Sequence, residues 1–127
     1  MPIDKDKFAK HLRKFAENTS QSECAAYVRR ALEAGGASTK GHARAAKDYD
    51  AVLLRNGYHS VAADSAEAPY VPMKGDIVVI QPTAKGNKAG HIAGYDGKDW
   101  ISDFVQNGFW PGKAYRTERP DYVIYRY

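Results

Sequence analysis

The stretch from residue 20 to residue 36 reads SQSECAAYVRRALEAGG, and it predicts the helix around which the fold is organised. Ser20 and Glu23 have the spacing of a capping box, in which two side chains bond to the backbone at the start of a helix. The two glycines that close the stretch are typical of a helix terminus. Apolar residues recur at helical spacing, at positions 24, 28, 31 and 32. The sequence therefore predicts a helix whose inward face carries Cys24.

Two further helices are predicted on either side of this one. Before it, Asp4 or Asp6 is a candidate helix start, and the apolar residues at positions 8, 12 and 15 share one face of a helix that ends near Asn18. After it, apolar residues at helical spacing predict a helix over residues 41–56, which the pair Asn56-Gly57 ends. Residues 58–74 have no clear period and are interpreted as a loop.

The second half of the chain changes to strand patterns. Residues 76–80 read DIVVI and predict a buried strand that Pro82 ends. Two more strands are predicted over residues 90–95 and 100–105, joined by a tight turn at Asp96-Gly97. A loop over residues 107–121 precedes a last strand at residues 122–127. The predicted fold class is therefore α+β, with N-terminal helices packed on a C-terminal antiparallel sheet in a single domain spanning residues 1–127.

Composition narrows the class of protein. The chain has 127 residues with 43% hydrophobic and 27% charged residues, which favours one soluble globular domain. No apolar run approaches the length of a membrane span, and the first residues lack the apolar stretch of a secretory signal. We therefore expect synthesis in the cytoplasm and no membrane insertion. Solvated lysines on helix faces are the usual explanation of the net charge of +4, and an acidic partner is the alternative. No phosphate-binding loop or aromatic strand motif indicates nucleic acid.

The chemistry of the chain depends on its single cysteine. Cys24 is expected in the first turns of its helix, where unpaired N–H groups and the helix dipole favour a thiolate. His91 lies on a predicted strand, and Asp103 follows on the next one. Cysteine, histidine and carboxylate in this order are the parts of a cysteine hydrolase. The competing interpretation is a buried structural cysteine, which is common on helices. One cysteine also excludes an internal disulfide and a multi-cysteine zinc site.

The third catalytic group depends on the register of the predicted hairpin. A two-residue turn at Asp96-Gly97 would place His91 opposite Ser102, whereas one extra loop residue would place it opposite Asp103. The offset register is favoured because the apolar residues Ile101 and Val105 share the face of Asp103. Asp103 is therefore the predicted partner of His91, with Ser102 second and Gln106 third.

The remaining candidates contact substrate or have structural roles. Ser22 and Tyr27 flank Cys24 and are predicted to line its cleft, as is Trp110 in the aromatic stretch after Asp103. The other three histidines, at positions 11, 42 and 59, are interpreted as surface or structural residues. Nothing in the spacing of histidine, cysteine and carboxylate residues indicates a metal or another cofactor.

Three segments resemble a known superfamily. Residues 22–32 read SECAAYVRRAL, residues 75–80 read GDIVVI and residues 90–93 read GHIA. This order of motifs resembles the NlpC/P60 and CHAP superfamily of papain-like cysteine hydrolases, and it covers the chain from about residue 20 onwards. Residues 100–116, which read WISDFVQNGFWPGKAYR, are similar to small bacterial amidases that include type VI secretion effectors. The superfamily often has Asp-Cys-Ser-Gly around the nucleophile, where this chain has Glu-Cys-Ala-Ala.

The resemblance implies a function. It implies that Cys24 is the nucleophile, that His91 is the base and acid, and that the substrate is the stem peptide of peptidoglycan. It also implies delivery to the periplasm of a target bacterium and a cognate immunity protein as a partner. Two alternatives are a cysteine protease or deamidase that acts on protein, and a catalytically silent binding domain that keeps the fold.

Overall fold

The computed structural model describes residues 2–61 and 69–127, and it has the expected α+β architecture. The helices are α1 (Lys5–Phe15), α2 (Cys24–Ala34), α3 (Asp50–Arg55) and α4 (Lys113–Glu118), with a 3-10 turn at Ala46–Asp48. The strands are β1 (His59–Val61), β2 (Ile77–Ile80), β3 (His91–Tyr95), β4 (Trp100–Ile101) and β5 (Tyr122–Arg126). They form one antiparallel sheet in the order β1-β5-β2-β3-β4.

The two N-terminal helices pack against each other and against the sheet. Asp4 caps α1 by accepting a hydrogen bond from the backbone N–H of Lys7 at 3.0 Å, which confirms the predicted helix start. The helix ends at Phe15 rather than near Asn18. It stops there because Glu17 is already extended and donates its N–H to the carbonyl oxygen of Asp103 at 2.7 Å.

The central strand β2 has both faces covered, and all four of its residues are buried. Alternate side chains point to opposite faces of a strand. Ile77 and Val79 pack with the helices, whereas Val78 and Ile80 face a second cluster. Aromatic side chains complete that second cluster, and they are Tyr70, Tyr95, Trp100, Phe109, Trp110, Tyr115 and Tyr122. The core therefore lies on both sides of the strand that precedes His91.

Three predicted segments differ from the structure. The helix predicted over residues 41–56 is divided into the 3-10 turn and the six-residue α3. Lys47 in that turn donates its N–H to the carbonyl oxygen of Ala89 at 2.8 Å, which ties the segment to the loop before β3. The predicted loop of residues 58–74 contains β1, and its residues 62–68 lie outside the described ones. The predicted loop of residues 107–121 contains α4.

The hairpin between β3 and β4 has a four-residue loop, which is neither the two-residue turn nor the connection with one extra residue that the sequence analysis considers. Tyr95 pairs with Trp100, so residues 96–99 form the connection. Asp96 closes the loop by accepting hydrogen bonds from the backbone N–H groups of Lys98 and Asp99 at 3.0 and 2.8 Å. The chain then turns sharply, because Ser102 donates its N–H to the carbonyl oxygen of Phe104 at 3.0 Å. The strand expected over residues 100–105 therefore has only two residues.

Asp76, which immediately precedes β2, has a structural role. Its buried carboxylate accepts hydrogen bonds from the backbone N–H of Met73, the hydroxyl of Tyr70 and the guanidinium of Arg126. Both bonds from Arg126 measure 2.8 Å, which is the short, two-pronged geometry of a strong ion pair. This cluster ties β5 to the segment before β2.

Candidate active site

Cys24 is the first residue of α2, and its half-buried side chain faces a cavity of about 300 Å³. His91 and Asp103 line the same cavity. The other lining residues are Ser20, Ser22, Asn87, Gly90, Phe104, Pro111, Gly112, Lys113, Ala114 and Tyr115. Within the described residues the backbone N–H of Cys24 donates no hydrogen bond, as is usual in the first turn of a helix. The structure therefore brings the predicted nucleophile and base into one cleft.

His91 is the first residue of β3, and its ring is held by Gln106. The ring Nε2 lies 2.7 Å from the Oε1 atom of Gln106, and both side chains are buried. The amide group of Gln106 donates to the carbonyl oxygens of Gly108 and Phe109 at 3.1 and 3.0 Å. These donations fix Oε1 towards the ring, so the ring Nε2 must carry the hydrogen. The lone pair of the neutral ring then lies on Nδ1, where it can accept a proton.

The predicted partnership of Asp103 with His91 is wrong in its geometry, since Gln106 makes the hydrogen bond to the ring. Neither predicted register occurs. Gly94 pairs with Ile101, so continuation of the ladder would set His91 opposite Phe104. This register puts His91 on the same face as Gln106, and the sharp turn after Ser102 directs Asp103 elsewhere. Ser102 donates its hydroxyl to Asp103 at 3.2 Å and does not bond to His91.

Asp103 instead holds the backbone that precedes Cys24. Its side chain is 99% buried, and its Oδ2 atom accepts hydrogen bonds from the N–H groups of Gln21 and Glu23 at 2.6 and 3.1 Å. A carboxylate at this position complements the positive end of the α2 dipole. Between the two donors, Ser22 adopts a left-handed conformation with φ of 58°, which is uncommon for a residue other than glycine. The side chain of Asp103 therefore sets the approach of the chain to Cys24.

The predicted capping box is absent. The helix begins after Glu23, whose side chain makes no capping hydrogen bond. The Ser20 hydroxyl accepts from the N–H of Ser22 at 3.3 Å and thus belongs to the preceding turn. Asp103 accepts from the N–H of Glu23, the N-cap residue itself, and so holds the turn before the helix without capping the N–H groups of its first turn.

Burial shifts the pKa values of the two central groups in opposite directions. It raises the pKa of the Cys24 thiol, and the negative charge of Asp103 adds to this effect, whereas backbone N–H groups including that of Ile92 oppose it. Burial lowers the pKa of His91, against the smaller effects of Gln106 and Asp103. Both shifts favour a neutral thiol beside a neutral imidazole. The thiolate expected from helix position alone does not agree with these directions.

The pH dependence of alkylation follows from these shifts. We expect the rate of Cys24 alkylation by iodoacetamide to be low below about pH 7. The rate should rise only at a pH above about 8.5, the ordinary pKa of a free thiol. His91 should become protonated only at a pH below its ordinary pKa of 6.5. Hydrolysis should therefore persist at mildly acidic pH and decrease at more acidic pH. Alkylation rates measured as a function of pH test the expectation for Cys24, and hydrolysis rates measured over the same pH range test the expectation for His91. A fast alkylation rate that does not change between about pH 5 and pH 7 would instead indicate a thiolate–imidazolium pair.

The three predicted substrate contacts have different positions. Ser22 lines the cavity beside Cys24. Tyr27 does not line it, because its hydroxyl donates to Glu17 at 2.9 Å and its ring borders a separate groove between α1 and α2. Trp110 packs edge-to-face on Phe109 and Tyr122 in the second core cluster. Tyr27 and Trp110 are therefore not parts of the cavity wall.

Tyr115 is a cleft residue that sequence reasoning missed. It lies on α4, lines the cavity and sits with its ring 5.9 Å from that of His91, tilted by 54°. Burial raises the pKa of its hydroxyl, and the nearby Cys24 adds to the effect. The run from Lys113 to Glu118 contains good helix formers, which is the signal that predicts α4. The preceding Pro111-Gly112 pair led to the loop interpretation.

Neither a metal-ion site nor a membrane-spanning helix is found in the described residues. In residues 2–61 and 69–127, no three histidine, cysteine or carboxylate side chains converge on a point that could hold a metal ion. Over the same residues, no helix has the length and apolar character to cross a membrane.

Comparison with known proteins identifies relatives of the whole chain. No family model matches the sequence, and no curated protein matches it. Two solved structures do, and both are of the type VI effector–immunity complex Tae3-Tai3 from Ralstonia pickettii. The native complex aligns with a TM-score of 0.86 and 43% identity over 98% of each chain. The selenomethionine form aligns with a TM-score of 0.82 and 43% identity over 94% of this chain and 98% of that one. By this identity and coverage, the chain belongs to the family of the type VI effector Tae3.

Proposed function

We propose that the protein is an antibacterial type VI effector that hydrolyses an amide bond in the stem peptide of peptidoglycan. The observation that carries the proposal is the meeting of Cys24 and His91 in one open cleft, with Gln106 holding the ring of His91. Membership in the Tae3 family supports the effector role. The resemblance of the Cys24 and His91 motifs to peptidoglycan hydrolases supports the choice of substrate.

The proposed reaction uses the neutral pair. As the sulfur of Cys24 attacks the amide carbonyl carbon, the thiol proton passes to Nδ1 of His91. The backbone N–H of Cys24, which donates no hydrogen bond within the described residues, is the proposed donor to the oxyanion. Such donors stabilise the tetrahedral intermediate. The imidazolium then gives its proton to the leaving amine, and a thioester remains on Cys24. Water, deprotonated by His91, hydrolyses the thioester and regenerates the thiol.

The proposed catalytic set differs from the one predicted from sequence. Cys24 and His91 keep their roles as nucleophile and as base and acid. Gln106 orients the imidazole through its bond to Nε2. Asp103 acts indirectly. It holds the turn before Cys24 through the N–H groups of Gln21 and Glu23, and its charge raises the pKa values of Cys24 and His91. Ser22 remains a proposed substrate contact, because it lines the cleft next to Cys24. No cofactor takes part.

The fold supports an NlpC/P60-like, papain-type architecture. In that arrangement the nucleophile opens a helix that packs on an antiparallel sheet, and the histidine lies on a strand of this sheet. Here α2 begins at Cys24 and contacts β3, which begins at His91. The 127 residues then act as one hydrolase domain.

The proposed partners follow from the same family. The solved relatives are effector–immunity complexes, so a cognate immunity protein is the proposed inhibitor of this chain. Peptidoglycan is the proposed substrate, and the periplasm of a target bacterium is the proposed place of action. The proposal includes neither nucleic-acid binding nor membrane insertion.

The test is digestion of purified sacculi. We expect the wild-type protein to release soluble fragments whose masses correspond to hydrolysis of a stem-peptide amide, with one water added for each bond cut. Mass spectrometry of the fragments identifies the bond. Intact sacculi with hydrolysis of a protein substrate would support a protease or deamidase instead, and the absence of any hydrolysis would support a silent binding domain.

A further inference from the structure

Two cavities meet at Cys24 and form two arms of one cleft. The larger arm, of about 300 Å³, runs past Tyr115 and Lys113. A smaller arm, of about 170 Å³, runs past Ala46 and Arg44. Both arms share a floor made by Ser22, Cys24, Asn87 and Gly90. An amide hydrolase must hold the acyl part and the amine part of its substrate on opposite sides of the nucleophile. The two arms are therefore suited to the two halves of the substrate.

Each arm has one cationic side chain at its rim. Lys113 in the larger arm and Arg44 in the smaller arm are both exposed. Within residues 2–61 and 69–127, neither side chain forms an ion pair. Each is therefore available to a substrate group without first breaking such a contact.

The acidic side chains of the two arms differ in availability. In the larger arm, the carboxylate of Asp103 already accepts two backbone N–H groups and the hydroxyl of Ser102. Three hydrogen bonds therefore already engage its two oxygens. In the smaller arm, Glu23 lines the cavity together with Arg44, and the two side chains form no ion pair among the described residues. Lys113 and Arg44 are both exposed, so each attracts an anion through solvent, and the guanidinium of Arg44 adds directed donors.

We propose that Lys113 and Arg44 each bind a carboxylate of the substrate, on opposite sides of the scissile amide. The substrate class is then a peptide with an anionic group in the residues on both sides of the cut bond. This inference rests on the proposed function and assigns specificity-determining residues to the same cleft.

Kinetics on soluble muropeptides test the inference. The substrates are muropeptides released by a muramidase, used either native or with their free carboxylates converted to amides. With native muropeptides, we expect Lys113→Gln and Arg44→Gln each to raise KM about fivefold and to leave kcat nearly unchanged. Added salt should weaken wild-type binding and should affect Lys113→Gln less, because that variant lacks the long-range attraction. With amidated muropeptides, wild type and both variants should have the same KM.

Two control variants remove the same charge elsewhere. The controls are Arg116→Gln and Lys40→Gln. Arg116 lies further along α4, Lys40 lies in the loop before residue 41, and neither side chain lines the cleft. Both should keep wild-type KM. The inference is wrong if Lys113→Gln and Arg44→Gln behave like these controls, or if their defects persist on amidated muropeptides. If the wild-type protein leaves native muropeptides intact, the proposed function itself fails, and the inference fails with it.

Discussion

Cys24→Ala should abolish hydrolysis of sacculi while the protein stays folded. Removal of the nucleophile leaves no group that can form the thioester, so we expect turnover to fall by at least about a thousandfold. The fold should persist because Cys24 is only half-buried and alanine is the best helix former at the start of α2. Release of soluble fragments, measured beside the wild type, gives the size of the effect.

Thermal unfolding provides the control for this variant. The melting temperature of Cys24→Ala should lie within about 5 °C of the wild type, in line with a loss of about 1 kcal/mol. A variant that hydrolyses sacculi at the wild-type rate would exclude the cysteine mechanism. A variant that has lost its cooperative unfolding transition would show that Cys24 also supports the fold.

Asp103→Ala should reduce both stability and turnover. The substitution leaves the N–H groups of Gln21 and Glu23 without their acceptor in a partly buried turn, at a cost of about 3 kcal/mol for the two. The turn before Cys24 then loses the anchor that holds Ser22 in its left-handed conformation. We expect turnover to fall by about a hundredfold, which is the size of effect that a misplacement of reacting groups by about 1 Å can have. Denaturant unfolding and sacculus digestion measure the two effects.

Two neighbouring variants separate the roles of Asp103. Asp103→Asn keeps an oxygen that can accept an N–H but removes the charge that raises the pKa values of Cys24 and His91. Its alkylation profile should therefore shift to lower pH. Ser102→Ala loses only the 3.2 Å bond to Asp103 and should be mild. If Asp103→Ala lost turnover with unchanged stability, Asp103 would act on His91 and not on the turn before Cys24.

The periodic elements of the fold are predictable from the sequence. The apolar spacing in α1 and α2 and the buried run in β2 depend on residues within each element, and the structure has all three. The strands β3 and β5 also lie where their patterns place them. The α+β class follows from this order of elements, because an amphipathic helix and a half-buried strand have different periods.

The parts that were mispredicted depend on contacts between distant residues. The turn before α2 is held by Asp103, which is 80 residues away from Glu23, so the local sequence could not identify this contact. The length of the β3–β4 connection depends on Asp96, whose carboxylate closes a four-residue loop while Arg13 of α1 binds it from outside at 2.5 Å. Sequence spacing alone cannot weigh such a loop against a tight turn.

The partner of His91 illustrates the same limit. A carboxylate is the stronger choice on chemical grounds, because it also stabilises the imidazolium, and the apolar residues on the face of Asp103 favour the same choice. In the structure, two extra loop residues and the turn after Ser102 give the position to Gln106. A neutral amide in that position fits a buried ring whose pKa is lowered, because it orients the imidazole without stabilising its charged form as strongly as a carboxylate does.

The residues proposed to carry the chemistry are more buried than the residues that form the rest of the cleft wall. His91, Asp103 and Gln106 are buried, and Cys24 opens a helix of the core, so substitutions at these positions disturb packing as well as chemistry. The rest of the cleft wall comes from the loop at Asn87 and from exposed residues at the start of α4. Exposed segments tolerate substitution far better than buried ones. Under the proposed function, related effectors can therefore differ in the bond that they cut through changes in these two segments, while the stability of the fold constrains the buried residues.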